Sequence, residues 1–264
     1  MEKKTNSWFM PITTAVAVVV AIGLAFIGSG ALGGTAVSDA AGGALSADAT
    51  PLAPASTAFS IWSVIYVGLA VYAVYQLLPA QRDSKRHARL RPWAALSALL
   101  NAGWLAVVQA DSVGGSTIVI AILLFVLLWI LVILRSEKPS SIPDMVITYG
   151  TFGLYLGWVT VATTSNIAAF LASTDLEEFI EQTRVAIIIL GIVAAAGISL
   201  ALYSRGRIAP ALAISWGLAW VAVGRTEGEF ESQPLVWTAA IAAAMVLVST
   251  IAIRANAERE TAQA

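Results

Sequence analysis

The stretch STIVIAILLFVLLWILVIL, residues 116–134, contains no charged side chain and is long enough to cross a bilayer as a helix. About 20 apolar residues in a helix span the roughly 30 Å of hydrocarbon in a membrane. Seven other runs are similar, and the eight lie at about 11–30, 57–78, 92–110, 116–134, 145–171, 184–203, 208–224 and 235–253. Because a spanning segment must satisfy its backbone hydrogen bonds internally, helices are expected rather than strands. The sequence therefore predicts an all-α integral membrane protein with eight transmembrane helices.

The composition agrees with this class and excludes several kinds of chemistry. Hydrophobic residues make up 58% of the chain and charged residues only 12%, whereas a soluble domain carries about 25% charged residues. The chain has no cysteine, which excludes disulfides, thiolate catalysis and iron–sulfur ligation. Its single histidine, His87, lies in a basic loop, where we expect it to be solvated and not to bind a metal. No lysine within the runs is placed to form a retinal Schiff base.

The loops between the runs alternate in charge. Thirteen of the 15 lysines and arginines fall on one side, five of them in the second loop between residues 82 and 91, while the acidic clusters fall on the other side. The positive-inside rule then places both termini in the cytoplasm, in what we expect to be a prokaryotic cytoplasmic membrane. We read the basic loop as an orientation signal, with a patch for nucleic acid or lipid headgroups as the alternative. No nucleic-acid partner is expected.

Two segments near the N-terminus allow alternative interpretations. Residues 1–30 have a basic start and an apolar stretch, so a signal peptide is the alternative to a first membrane span. Residues 33–56 form the longest loop and are rich in Gly, Ala and Ser. This composition is typical of a flexible outer loop, and the functional alternative is a lid over a pocket below.

Aromatic and amide side chains share helix faces on three of the runs. At about 100° per residue, one face of the second run carries Phe59, Trp62 and Tyr66. One face of the third run carries Asn101 and Trp104, and one face of the fifth carries Tyr155, Trp158 and Asn166. From the orientation, we expect Trp62, Trp104 and Asn166 in the outer half of the membrane and Trp158 near mid-depth. Because a buried indole N–H needs an acceptor, we expect Asn101, Gln109 or Asn166 to supply one. The pattern predicts an aromatic cavity with a few amides, which suits a flat, hydrophobic ligand.

The opposite face of the fifth run is made of small residues. It carries Gly150, Gly153 and Gly157, and it includes a G-x-x-x-G pattern that lets two membrane helices approach closely. We expect a close helix contact on this face, which as an interface between two copies would give a homodimer.

At these residues the chain resembles the TspO/MBR family of tryptophan-rich sensory and translocator proteins. The resemblance lies in FSIWSVIY (59–66), LNAGW (100–104) and YLGWVTVATTSN (155–166). It implies a five-helix bundle in residues 1–172, followed here by a three-helix membrane extension (173–254) and a cytoplasmic tail (255–264). It also implies that porphyrins, sterols or drug-like aromatics bind under the loop after the first helix. The implied lining comprises Phe59, Trp62, Tyr66, Asn101, Trp104, Tyr155, Trp158 and Asn166.

These observations favour a binding or sensory protein for a flat hydrophobic ligand such as a porphyrin. A bound tetrapyrrole would be its ligand, and no cofactor is required. One alternative is a secondary or passive transporter that uses the same cavity. Another is an assembly protein whose glycine face recruits a partner helix. No Ser/His/Asp grouping or facing carboxylate pair is recognisable, so we do not expect an enzyme.

Overall fold

The computed structural model describes residues 8–29 and 35–263, and within these residues the protein is helical with no strand. The helices, numbered in chain order, are α1 (Phe9–Gly28), α2 (Ile61–Tyr75), α3 (Pro79–Arg82), α4 (Lys85–Gln109), α5 (Val113–Ser136), α6 (Ile142–Met145), α7 (Thr151–Ala172), α8 (Glu177–Ile180), α9 (Thr183–Ser204), α10 (Ile208–Gly224) and α11 (Gln233–Gln263). A 3-10 turn, Ser56–Ser60, precedes α2, and a π-helical turn, Val146–Gly150, joins α6 to α7. The all-α prediction is confirmed.

Each of the eight predicted runs coincides with a long helix, but only six helical segments in the described chain are long and apolar enough to cross a membrane. The run at 92–110 belongs to α4, whose first two turns carry four basic side chains. The run at 208–224 is α10, which has 17 residues and is therefore only about 26 Å long. The structure thus confirms an apolar helical protein with six candidate spans. The last helix, α11, extends to Gln263, so the predicted tail continues the helix.

Helix α7 lies at the centre of the molecule because it belongs to both apolar cores. One core joins α7 to α1, α2, α4 and α5, through side chains such as Leu156 and Val159. The other joins it to α9, α10 and α11, through Val161 and Ala168. The helix packs directly against α5 on one side and α10 on the other. The three C-terminal helices are therefore attached to the first five through α7.

The contact between α7 and α10 depends on two glycines. A Cβ added at Gly157 would lie 2.2 Å from the carbonyl oxygen of Pro210, and one at Gly153 would lie 2.8 Å from the Ala209 Cβ. The predicted close-packing face therefore exists, but its partner is α10 of the same chain. Gly153 and Gly157 are not free for a second copy, which corrects the predicted dimer surface. Gly150 has open space around its Cβ position, and a homodimer as such stays a prediction.

The end of the bundle that carries the basic loop contains a buried ionic network. Arg86 Nη1 lies 2.8 Å from Asp144 Oδ1, Arg86 Nη2 donates to Thr148 Oγ1 at 3.0 Å, and His87 Nε2 lies 3.1 Å from Asp144 Oδ1. His87 is fully buried, so the expectation of a solvated histidine was wrong. Buried charges are stable only when they are paired and hydrogen-bonded. Part of the basic loop therefore anchors α4 to α6, in addition to any role in orienting the protein in the membrane.

Replacing Gly157 with Ala should destabilise the protein, because the added methyl group meets the backbone of Pro210 rather than a side chain that can move. We expect a loss of about 1–3 kcal/mol, as is typical of overpacking, measured by thermal unfolding in detergent. Gly150→Ala is the matched control, since its Cβ position is empty. If Gly157→Ala and Gly150→Ala lost the same amount of stability, the assigned α7–α10 contact would be contradicted.

Replacing Asp144 with Asn should cost about 3–5 kcal/mol of stability, because it leaves the buried Arg86 guanidinium without its carboxylate. Glu137→Gln removes the partner of the exposed Arg89 and should cost less than about 1 kcal/mol. Denaturant unfolding of both variants measures the difference. If Asp144→Asn is as stable as Glu137→Gln, the buried network does not anchor this end.

Candidate ligand site beneath the outer loop

Three aromatic side chains lie close together where the 3-10 turn runs into α2, and all three line the outer cleft. The Trp62 and Tyr66 rings stack with their centroids 5.4 Å apart. Phe59 lies on the preceding 3-10 turn, and its ring meets Trp158 of α7 edge-on at 5.6 Å. Trp62 also meets Trp158 edge-on, at 6.3 Å. Edge-to-face pairs at these separations are favourable, so the rings of α2 and α7 form one continuous aromatic surface.

Asn166 holds Trp104 in this surface. The indole N–H of Trp104 donates to Asn166 Oδ1 at 3.1 Å, and the Asn166 amide donates to the carbonyl oxygen of Ala162 at 2.9 Å. Ser116 of α5 also donates to Asn166 Oδ1, at 3.3 Å. The prediction that Asn166 accepts a tryptophan N–H is therefore confirmed. Gln109 instead donates to backbone carbonyl oxygens, including that of Thr35 at 2.9 Å.

Two of the eight predicted site residues lie behind the surface rather than on it. Asn101 donates to the Tyr66 hydroxyl at 2.9 Å, and Tyr155 donates to the carbonyl oxygen of Ser97 at 2.9 Å. Both are buried, and neither lines a chamber of the site. Helix periodicity predicts a shared face but not how deeply a side chain is covered. Asn101 and Tyr155 therefore orient the site instead of lining it.

The aromatic surface separates two chambers. Phe59, Trp62 and Trp104 line both of them. The inner chamber has a volume of about 20 Å³ and is completed by Ala44, Leu45, Thr50, Ala53, Pro54, Trp158, Ala162, Ser165 and Asn166. The outer cleft has a volume of about 320 Å³ and is completed by Phe26, Ser29, Ala36, Val37, Ser38, Ser56, Ser63, Tyr66 and Leu105. The inner chamber has room for one water molecule, whereas the outer cleft reaches the lower limit of ligand pockets, about 300 Å³.

Two side chains that line the inner chamber each carry a buried polar atom with no hydrogen-bond partner within the described residues. These atoms are the indole N–H of Trp158 and the hydroxyl of Thr50. Both side chains are 1% exposed. An unpaired buried donor costs about 1–3 kcal/mol, so an acceptor that reached either group would lower that cost.

The loop before α2 covers the inner chamber. Residues 50–54 are all buried, and the carbonyl oxygen of Leu52 accepts from Ser165 of α7 at 3.1 Å. Nearer its start, the backbone N–H of Ala41 donates to Asp111 Oδ1 at 2.8 Å. The sequence allowed two interpretations of residues 33–56, a flexible loop or a lid over a pocket. In the described part, residues 35–56, the segment covers the inner chamber as a lid.

The C-terminal helices hold this lid in place. Arg225 at the end of α10 is fully buried and donates to the carbonyl oxygens of Thr50 at 3.0 Å and Ala47 at 2.6 Å. Burial lowers the pKa of the Arg225 guanidinium, and the nearby Asp48 carboxylate opposes that change. An arginine guanidinium normally loses its proton only at very high pH, so the Arg225 side chain stays charged. Charge-assisted bonds of this kind are roughly twice as strong as neutral ones, so Arg225 acts as the latch of the lid.

Two tryptophans of α10 support the same region without lining either chamber. The indole N–H of Trp216 donates to the carbonyl oxygen of Ala58 at 2.9 Å, and the backbone N–H of Ala55 donates to the carbonyl oxygen of Trp220 at 3.0 Å. These tryptophans therefore do not extend the aromatic lining. They fix the backbone before and within the turn that carries Phe59.

Sequence reasoning missed Arg225, although one signal was present. Arg225 stands among acidic residues, in a loop where the charge alternation predicts no cation. A basic residue that breaks this alternation needs a specific partner, and the lid carbonyl groups are that partner.

Comparison with known proteins gives one match. A family model described as TSPO-like protein matches residues 11–253, which include α9, α10 and most of α11 as well as the first five long helices. No curated protein and no solved structure matches the chain.

Replacing Arg225 with Met should release the lid while the helices stay packed. Hydrogen–deuterium exchange of the backbone amides in residues 44–55 should accelerate about 10- to 100-fold, since hydrogen bonds to a charged group contribute about 1.5–3 kcal/mol. Arg184→Met, the other arginine at this end, is the control and should leave exchange in the lid unchanged. Unchanged exchange in Arg225→Met would mean that Arg225 does not latch the lid.

Proposed function

Because the chain belongs to the TSPO-like protein family, we propose that it is a membrane-embedded binding protein for a flat, apolar ligand with a hydrogen-bond acceptor, such as a porphyrin. The ligand lies against the aromatic surface of α2, α4 and α7, beneath the lid. Membership of the family, which the resemblance of three motifs predicted, supports a ligand-binding or sensory role in the membrane. The tetrapyrrole is the more specific part of the proposal.

The unpaired indole N–H of Trp158 is the observation that carries this proposal. A tryptophan donor that is 1% exposed and has no partner in the described chain is costly unless something occupies the chamber it lines. Trp104, in the same surface, already has Asn166 as its acceptor. A ligand carboxylate or carbonyl oxygen in the inner chamber would therefore be bound by Trp158, with the Thr50 hydroxyl as a second contact.

The two chambers indicate how such a ligand is accommodated. The inner chamber alone is too small, and the outer cleft of about 320 Å³ lies at the small end of the range for ligand pockets. Phe59, Trp62 and Trp104 form the wall between them. A ring system enters by the outer cleft and displaces part of this wall, so that its polar group reaches Trp158. The lid must move when the ligand enters, so Arg225, which latches the lid, has a functional role.

The packing below the site favours binding over transport. Tyr155 and Tyr72 are fully buried, and Phe152 is 2% exposed. Tyr72 and Phe152 meet edge-on with ring centroids 5.1 Å apart, so aromatic side chains fill the bundle between the site and the buried Arg86–Asp144 pair. We propose a site that opens at the lid end only, and binding without chemical conversion of the ligand.

The membrane arrangement is also part of the proposal. All eight long helices cross the bilayer, with α4 shifted so that its basic first turns lie at the cytoplasmic surface and the short α10 enclosed by α7, α9 and α11. Both termini are cytoplasmic, and the lid faces outward, as the alternating charge of the loops indicates.

Protoporphyrin should quench the tryptophan fluorescence of the purified protein saturably, and Trp158→Phe should weaken its binding. The variant keeps an aromatic ring but loses the N–H, so we expect about a 5- to 10-fold higher Kd from the loss of one hydrogen bond. The variant removes an unpaired buried donor but also leaves a cavity, so thermal unfolding of the ligand-free variant checks that it is folded before its Kd is compared.

Trp237→Phe is the matched control, because Trp237 lies on the exposed surface of α11, away from the site. It should bind with unchanged affinity. Equal Kd values for Trp158→Phe and the unmodified protein would contradict the role of Trp158. Failure of protoporphyrin to quench at all would remove the tetrapyrrole from the proposal.

A further inference from the structure

A second, larger recess lies at the end of the bundle opposite the lid. This basic groove has a volume of about 850 Å³. Its walls come from the end of α5, the π-helical turn before α7, the loop between α9 and α10, and the last turns of α11. The residues that line it are Arg135, Glu137, Lys138, Pro139, Met145, Tyr149, Ser204, Arg205, Gly206, Arg207, Arg254, Ala257, Glu258, Thr261 and Ala262. None of them belongs to the site beneath the lid.

The charge of the groove is strongly positive. Five basic side chains and two carboxylates line it, which leaves an excess of three positive charges. Both carboxylates are already paired: Glu258 lies 2.9 Å from Arg254, and Glu137 lies 3.3 Å from Arg89 outside the groove.

Three of the cations have neither an ion pair nor a side-chain hydrogen bond within the described residues. Across residues 8–29 and 35–263, no hydrogen bond or ion pair involves the side-chain N–H groups of Lys138, Arg205 or Arg207. Unpaired cations that converge on one recess favour an anionic ligand.

Two of the arginines, Arg135 and Arg207, are held in position before any ligand binds. The Arg207 guanidinium lies over the Tyr149 ring, 4.1 Å from its centroid, and that of Arg135 lies over the Tyr203 ring at 4.5 Å. The loop between α9 and α10 is tightly packed, since a Cβ on Gly206 would lie 2.5 Å from the Arg254 backbone. Gly206 has a φ of +75° that only glycine adopts easily. Less side-chain freedom is therefore lost when an anion binds.

The neighbouring surface is apolar and exposed. Ile142 is 74% exposed, Val146 is 59% exposed and Leu202 is 60% exposed. Ile142 and Val146 lie on either side of Met145, which lines the groove, and Leu202 precedes the loop that carries Arg205 and Arg207. A basic recess beside apolar helix surface matches a molecule with an anionic head and acyl chains.

We infer that the basic groove binds the phosphate headgroup of an anionic phospholipid, whose acyl chains lie along the adjoining apolar surface. Arg205 and Arg207 contact the phosphate. Basic pockets between membrane helices at a cytoplasmic surface are suited to such headgroups. The C-terminal helices, which latch the lid at one end, then also hold a lipid at the other.

Thermal unfolding in a neutral detergent tests this inference. Phosphatidylglycerol should raise the Tm by about 5 °C or more at saturation, whereas phosphatidylcholine with the same acyl chains and inorganic phosphate should not. The double variant Arg205→Gln/Arg207→Gln should lose the difference between the two lipids, and native mass spectrometry should show that it no longer retains phosphatidylglycerol.

The control is Lys85→Gln/Arg259→Gln, which removes two exposed cations from the same end of the bundle but none from the groove. Phosphatidylglycerol should raise the Tm of this control as much as it raises that of the unmodified protein. Equal stabilisation by both lipids, or loss of the effect in the control as well, would overturn the inference. If inorganic phosphate raised the Tm as much as phosphatidylglycerol does, the groove would bind a free anion, and the inference of a lipid would be overturned. A cooperative unfolding transition in phosphatidylcholine shows that each variant is folded.

Discussion

The close contact between α7 and α10 is the interaction on which the rest of the molecule depends. Gly153 and Gly157 let the first turn of α10 approach the α7 backbone to distances that no other residue allows. With α10 in that position, Arg225 at its far end reaches the lid carbonyl groups, and Trp216 reaches the backbone before α2. Two glycines in the first two turns of α7 thus help to determine where the loop before α2 lies. The C-terminal helices belong to the candidate ligand site because they hold its cover in place.

Polar groups in an apolar surrounding must find partners within the chain, and this requirement explains most of the buried polar contacts. Arg86 has Asp144, Trp104 has Asn166, and Arg225 has two backbone oxygens. Some buried atoms of the described chain lack a partner, such as the Tyr72 hydroxyl and Arg86 Nε, and two of these atoms belong to side chains that line the inner chamber. Trp158 lies among aromatic rings that fix its position, and its N–H is nevertheless left without an acceptor. A chamber that is almost closed, with an unpaired donor, is what a ligand with a polar group would complete.

Much of this architecture could be predicted from the sequence. Apolar runs identify the long helices, and a period of 3.6 residues places Phe59, Trp62 and Tyr66 on one face because that geometry is local. The relative depth and rotation of neighbouring helices are not local, so Asn101 and Tyr155 were expected in the lining and lie behind it. For the same reason the glycine pattern on α7 indicated a close contact but not its partner. His87 is buried because Asp144, 57 residues away, offers it an acceptor, and no loop composition shows this.

The most direct test of the account is the indole N–H resonance of Trp158, assigned with Trp158→Phe and followed by NMR in detergent micelles as protoporphyrin is added. The account predicts that this resonance moves and that its exchange with solvent slows as the porphyrin binds, while the resonance of Trp237 stays in place. Saturable binding of porphyrin that leaves the Trp158 resonance unchanged would contradict it, because the ligand would then occupy another part of the molecule.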